Sequence, residues 1–299
     1  MSAASLSLLI FGAQGQTGRE LAALCVQKGI KAVGLGRAQC DITSSEAVAQ
    51  ALDTYCPTLA VNCAAYTAVD KAESEEAAAL LINGEGPRIL AEETARREMP
   101  LLHISTDYVF DGTKSSAYIE SDPVAPVGAY GRSKLAGERA VQAGNPQHII
   151  LRTAWVYGVH GNNFLKTMMR LARERDELRV VGDQRGCPTS TVDIAEAILA
   201  AAAKLDGVSQ TWGVYHFAGT GETSWHGFAQ EIVSAQAHIT GKSPAVSQIT
   251  TADYPTPARR PANSALDSSR FAEVFGYRAR SWQERTRETV AALLETEKT

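Results

Sequence analysis

Apolar strand-like runs alternate with helical segments from residue 6 to residue 158, and a glycine loop joins the first run to the first helix. Together these predict an α/β protein built on a doubly wound parallel sheet, and a change of character after residue 158 predicts a smaller C-terminal lobe. At 299 residues the chain is long enough for one large domain with an attached lobe. Hydrophobic content of 44% and charged content of 21% are ordinary for a globular protein, so neither a fibrous nor a disordered chain is expected.

A net charge of −4 without a basic stripe argues against nucleic acid and membrane surfaces as partners. The five cysteines are odd in number, scattered and never in C-x-x-C spacing. That argues against a disulfide framework or a structural zinc site and places the chain in the reducing cytoplasm. Residues 6–11 are apolar but too few to span a bilayer, and they read as a strand rather than a signal peptide.

That first strand runs into G-x-x-G-x-x-G at Gly12, Gly15 and Gly18, followed by a helix over 19–28. Glycines let the backbone turn tightly beside a pyrophosphate, and the helix start offers free N–H groups, so the unit is Rossmann-type. A ligand-free Gly-rich turn is the bland alternative. The next strand, 30–35, leads to Arg37, where an acid would hold the ribose 2′-OH of NAD and an arginine accommodates the 2′-phosphate of NADP. Arg37 leans the cofactor to NADPH, with NADH retained, although a solvated loop arginine looks the same. Asp41 and Ile42 suit an adenine contact, and Ser44 or Ser45 caps a helix that runs to about residue 54.

The strand 59–65 ends in small residues, Ala64 and Ala65, that leave room for a flat cofactor, and Tyr66 and Thr67 begin the loop beyond it. A long helical segment is expected over 73–98, with Asn83 as a surface or cap residue that could instead support a water or a backbone carbonyl near the site. The strand from Leu101 closes on Ser105, Thr106, Asp107 and Tyr108. Tyr130 and Lys134, four apart at the start of an Ala-rich helix, share one face. An ammonium beside a phenol stabilises the phenolate and suits proton exchange with a carbonyl or alcohol, but the spacing alone is common. The strand 148–151 follows. His103, His148 and His160 stand alone and read as structural, and no metal site is expected.

The expected division is 1–158 for the dinucleotide-binding domain and 159–299 mainly for the substrate-binding lobe, allowing for segments that return to the first domain. The second half is read as a basic helix over 165–175, helices over 191–203 and 225–240, and a strand over 213–217, with fraying expected from 295 to 299. Arg185, Arg259 and Arg260 are candidate phosphate contacts, the last two in a loop stiffened by Pro255, Pro257 and Pro261.

The glycine loop, the S-T-D-Y-V-F-D-G segment at 105–112 and Y-G-R-S-K at 130–134 resemble the extended short-chain dehydrogenase/reductases. More narrowly, segments 62–73, 130–138, 152–158, 162–164, 183–189 and 260–266 closely resemble the dTDP-4-dehydrorhamnose reductase family, and the likeness covers nearly the whole chain. The resemblance implies Thr106 as catalytic hydroxyl, Tyr130 as proton donor, and Lys134 as the residue that holds the nicotinamide ribose and tunes the phenol. It matches cofactor-contacting positions at Gly15, Gln16, Thr17, Asp41, Ile42, Ala65, Tyr66 and Thr67, with the nicotinamide over Ala65 and Thr153, and these join Gly12, Gly18, Arg37 and Ala64 as candidate cofactor contacts. Substrate contacts are implied at Thr106, Asp107, Tyr108, Trp155, Asn163 and Arg260.

Tyr66 departs from a common histidine in that family. Val192 stands where some relatives carry a Mg²⁺-binding glutamate, so no metal is inferred. The implied reaction is NADPH- or NADH-dependent reduction of the C4 keto group of dTDP-4-dehydro-β-L-rhamnose, the last step of dTDP-L-rhamnose biosynthesis, with a homodimer as one assembly. Two alternatives remain: a reductase, epimerase or dehydratase of another sugar nucleotide, and a non-catalytic relative resembling the regulatory subunit of methionine adenosyltransferase.

Overall fold

A computed structural model describes residues 6–205 and 211–296. The first half runs β1 (Ser7–Phe11), α1 (Gln16–Gln27), β2 (Lys31–Leu35), α2 (Ser45–Tyr55), β3 (Leu59–Asn62), α3 (Val69–Ala72), α4 (Glu76–Leu80), α5 (Gly86–Ala95), β4 (Leu101–Thr106), α6 (Ala129–Gly144) and β5 (His148–Thr153). Then come β6 (Val156–Tyr157), α7 (Phe164–Glu174), β7 (Glu177–Val181), β8 (Arg185–Gly186), β9 (Thr189–Ser190), α8 (Thr191–Ala203), β10 (Gly213–His216), β11 (Thr223–Ser224), α9 (Trp225–Thr240), β12 (Ala245–Ile249), α10 (Ser269–Phe275) and α11 (Trp282–Thr296).

The central sheet is six-stranded and parallel, in the order β10-β5-β4-β3-β1-β2. From β1 the chain goes outward to β2, then returns past β1 to β3 and onward. The crevice at the carboxyl ends of β1 and β3 is therefore the switch point where such sheets bind ligands. Apolar runs in β1 are continuous because both faces are covered: Leu8 and Ile10 join one core with α1 and α8, while Leu9 and Phe11 join another with α2 and α5. Ser44 caps α2 by accepting from the Ala47 amide at 3.2 Å, as its position predicts.

The long helical segment expected over 73–98 is corrected. It is interrupted by a π-helical turn over Leu81–Glu85, which carries Asn83 inward to full burial. There Asn83 Oδ1 accepts from the Tyr66 amide at 2.8 Å, and its Nδ2 donates to the Tyr66 carbonyl at 3.0 Å and to Ser133 Oγ at 2.9 Å. Asn83 is thus a buried clamp on the loop after β3, not a surface or cap residue. Gly86 allows the turn to sit against Ile42, since a Cβ there would lie 2.5 Å from Ile42 Cδ1.

β10 pairs with β5, and α8 packs on α1, so these later segments belong to the sheet layer. A separate core of Tyr157, Met168, Phe228, Trp282 and Val290 knits α7, α9 and α11 together. No helix among the described residues is long and apolar enough to cross a membrane.

Candidate active site

The glycine loop is shaped by contacts that exclude side chains. Gly12, at φ +76°, lies so close to the chain after β3 that a Cβ would sit 2.4 Å from the Ala64 nitrogen. At Gly18 a Cβ would sit 2.5 Å from the Gly12 carbonyl oxygen, so α1 can press against the loop only because both residues lack one. The result is a hollow of about 250 Å³ lined by Gly12, Gly15, Arg37, Asp41, Ile42, Ala64 and Ala65. No side chain caps the start of α1, leaving its first amides available to an anion. Hydrogen bonds from Thr43 hold the Asp41 carboxyl below its ordinary range. Arg37 is exposed at the rim, 3.8 Å from Asp41. A bare glycine cradle at a helix N-terminus, with a cation at its outer end, fits a phosphorylated dinucleotide.

The hollow shares Gln14, Gly15, Cys63 and Ala65 with a second cavity of about 690 Å³ over β3, β4 and β5. Gln16, Thr17, Thr67, Thr106, Asp107, Tyr108, Tyr130, Lys134 and Trp155 line it. Thr106 ends β4, and Tyr130 and Lys134 lie in the first turns of α6. That helix approaches the β4 end closely because Gly131 packs on Tyr108; a Cβ there would lie 2.2 Å from the Tyr108 oxygen.

Burial pushes the Tyr130 phenol up to about 12, opposed by its hydrogen bond with Thr106. Thr106 donates its own proton to Asp107 Oδ1 at 2.8 Å and accepts from the Tyr108 amide at 3.2 Å. Burial also raises the Asp107 carboxyl to about 6, against the opposing hydrogen bonds from Ser264 and Thr106. Lys134 Nζ donates to the Ile104 carbonyl at 2.7 Å, and desolvation pulls the ammonium down to about 8. The ammonium therefore acts on β4 rather than on the phenol. The forces shifting Tyr130 are burial, Thr106 and Asp107, so the lysine-stabilised phenolate expected from spacing is not what this structure holds. At neutral pH the phenol is protonated.

An aromatic wall closes the far side. Trp155 has φ +47°, a left-handed conformation costly for a bulky residue, and its indole donates to Ser264 Oγ at 3.1 Å. Its ring stacks on Trp225 with centroids 3.5 Å apart and planes within 5°, and Phe164 leans on Trp225. Gly186 admits the indole, since a Cβ there would lie 2.4 Å from the ring.

Several predicted residues line neither cavity. Gly18 acts from behind the loop. The Tyr66 phenol turns outward and donates to Glu75 at 2.6 Å. Asn163 caps α7 and donates to Gln16 Oε1 at 2.8 Å, supporting a residue that does line the cavity. Arg260 is engaged with Asp70 at 2.9 Å, and its charge reaches the site by opposing part of the rise that burial imposes on the Tyr108 phenol. Arg185 pairs with Glu222 at 2.8 Å, and Arg259 is exposed. The sequence reading overlooks Gln14, Cys63, Phe164 and Trp225 as lining residues. A tryptophan at the start of a helix behind a serine cap was the one available signal for Trp225.

A nucleotide crevice continuous with a pocket bearing Thr106, Tyr130 and Lys134 defines the Rossmann-type nucleotide-dependent reductases and their kin. The family described as RmlD substrate binding domain matches residues 6–295, and the chain belongs to it. A dTDP-4-dehydrorhamnose reductase of Sinorhizobium fredii is 45% identical over 97% of this chain and 98% of its own length. Among solved structures, a dTDP-4-dehydrorhamnose reductase of Clostridium acetobutylicum superposes with a TM-score of 0.90 at 40% identity, covering 97% of this chain and 100% of that one. Another, from Bacillus anthracis and in complex with NADP, gives 0.88 at 33% identity, covering 96% and 99%.

Proposed function

We propose that the protein is the NADPH-dependent reductase that converts dTDP-4-dehydro-β-L-rhamnose into dTDP-β-L-rhamnose. The observation that carries this reading is the continuity of the glycine-loop hollow with the pocket that gathers Thr106, Tyr130 and Lys134. The named relatives support the choice of substrate, and the NADP-bound relative together with the exposed Arg37 supports NADPH, with NADH as the second cofactor to test.

The glycine loop and α1 start would hold the pyrophosphate, Asp41 and Ile42 would border the adenosine, and Lys134 would meet the nicotinamide ribose. The bound reduced nicotinamide supplies a hydride to the substrate C4. Tyr130, kept protonated by burial, would give its proton to the oxygen of that carbonyl as negative charge develops. Thr106 can turn its proton from Asp107 to the same oxygen. Asp107, Tyr108 and Trp155 line the pocket beside these groups and would orient the sugar. The cytosol suits five unpaired cysteines.

The decisive experiment supplies the 4-keto sugar nucleotide and follows loss of NADPH and NADH in parallel. Tyr130→Phe should lower turnover by roughly 10²-fold or more while NADPH still binds. Near-normal turnover in that variant would remove Tyr130 from its role. No oxidation of either cofactor by the unaltered protein would favour a non-catalytic function. A 4,6-dehydratase or 4-epimerase would instead turn over with retained NAD⁺ and no added reductant.

A further inference from the structure

Beneath the catalytic face one buried carboxylate joins three elements. Glu138 lies one turn beyond Lys134 on α6, is 1% exposed, and so shares its face. It accepts from Arg152 Nε at 2.9 Å and Nη2 at 2.7 Å, and from Ser105 Oγ. Ser105 and Arg152 immediately precede Thr106 and Thr153, which are register partners at the ends of β4 and β5. One residue earlier on β4, the Ile104 carbonyl receives the Lys134 ammonium. Through Lys134 and Glu138, α6 therefore holds two successive residues of the strand that presents Thr106.

We propose that Glu138 is a positioning residue of the reaction, which stands one turn from Lys134 as the opposite charge to its ammonium and holds the β4 and β5 ends so that Thr106 stays aligned with Tyr130. This rests on the reading of Tyr130 and Lys134 given above.

The charges around the pair support it. Desolvation works against the Lys134 ammonium, Glu138 is the largest influence opposing it, and Cys63 is a smaller one. Arg152 is not among the groups acting on Lys134. His103 and His216, the buried imidazoles nearest this cluster, are both held well below their ordinary range by burial and so add no positive charge at neutral pH. His216 backs Arg152 at 3.4 Å, and the guanidinium lies 5.1 Å from the Phe110 ring centroid. Glu138 is thus the carboxylate that serves both buried cations.

The test measures NADPH affinity against pH by fluorescence titration, without sugar, for the unaltered protein, Glu138→Gln, the double variant Glu138→Leu/Arg152→Leu, and Ser105→Ala. The double variant removes both buried charges and protects the fold if Glu138→Gln alone strands Arg152. Affinity of the unaltered protein should weaken as pH rises through about 8. In both Glu138 variants the fall should begin about one pH unit lower, as expected on losing a nearby opposite charge. Ser105→Ala keeps that charge and should keep the original profile. With the 4-keto sugar, kcat should fall more than KM rises in the Glu138 variants. An unmoved profile in a folded Glu138 variant overturns the proposal, and so does failure of both variants to fold, which would leave Glu138 a purely structural residue. Failure of the sugar reading shows differently: the unaltered protein would oxidise no NADPH, while the binding profile could still move.

Discussion

Alanine substitutions at the three loop glycines should separate folding from cofactor binding. Gly12→Ala combines a left-handed backbone with a Cβ 2.4 Å from Ala64 nitrogen and 2.6 Å from its Cα. Both obstacles are backbone, so relief requires β1 and β3 to part, at about 2–5 kcal/mol when the conformational and overpacking costs are added. Gly18→Ala meets the Gly12 carbonyl oxygen at 2.5 Å and Ala13 Cα at 2.7 Å without an unfavourable φ. Its cost is about 1–3 kcal/mol.

Gly15→Ala approaches only the Gly12 oxygen, at 3.3 Å, but Gly15 lines both cavities. It should lose less than about 1 kcal/mol of stability, the scale of a changed N-cap, while its new methyl would enter the hollow proposed for the pyrophosphate. Urea unfolding with linear extrapolation gives the first quantity and NADPH fluorescence titration the second. The expected order of instability is Gly12→Ala, then Gly18→Ala, then Gly15→Ala, with Gly15→Ala nearly stable yet poor at binding. Wild-type affinity in Gly15→Ala, or wild-type stability in Gly18→Ala, would refute the account of the loop.

Other substitutions probe the buried polar groups. Burial raises Asp107 to about 6, against roughly 3.9 for an unfolded aspartate, so the folded protein binds more protons between those values and loses stability as pH rises through that window. The cost is then fully present above pH 6. Asp107→Asn should therefore stabilise the protein in urea unfolding more at pH 7 than at pH 4.5, by an amount on the order of 2 kcal/mol, while lowering kcat/KM; an equal gain at both pH values would contradict this. Asn83→Ala removes three hydrogen bonds from a fully buried clamp and leaves the Tyr66 backbone groups unpaired. It should cost about 2–4 kcal/mol in urea unfolding and weaken NADPH binding, and a loss below 1 kcal/mol would mean that the π turn does not hold the loop.

The sheet was legible because its signals are local. Burial on both faces writes a continuous apolar run at residues 6–11, and the helices over 191–203 and 225–240 emerge with the bounds expected of them. The helix over 73–98 was misread because a π turn has no compositional mark distinct from an α-helix. Only the partners of Asn83, Tyr66 and Ser133, distant in sequence, account for it. Trp225 was missed for a similar reason: its stacking partner Trp155 lies seventy residues away, and nothing in either neighbourhood announces the other.

By itself the sequence determined the alternation that makes a parallel sheet, the bare glycine cradle, and the residue types able to transfer a proton, because each depends on neighbours a few positions apart. Tertiary structure decided their states. The four-residue spacing places Tyr130 and Lys134 on one face, yet the fold turns the ammonium to the Ile104 carbonyl and the Thr106 proton to Asp107. It also buries Glu138 against Arg152 beneath them both. Protonation follows desolvation and nearby charge, and those are set by segments that meet only when the chain has folded.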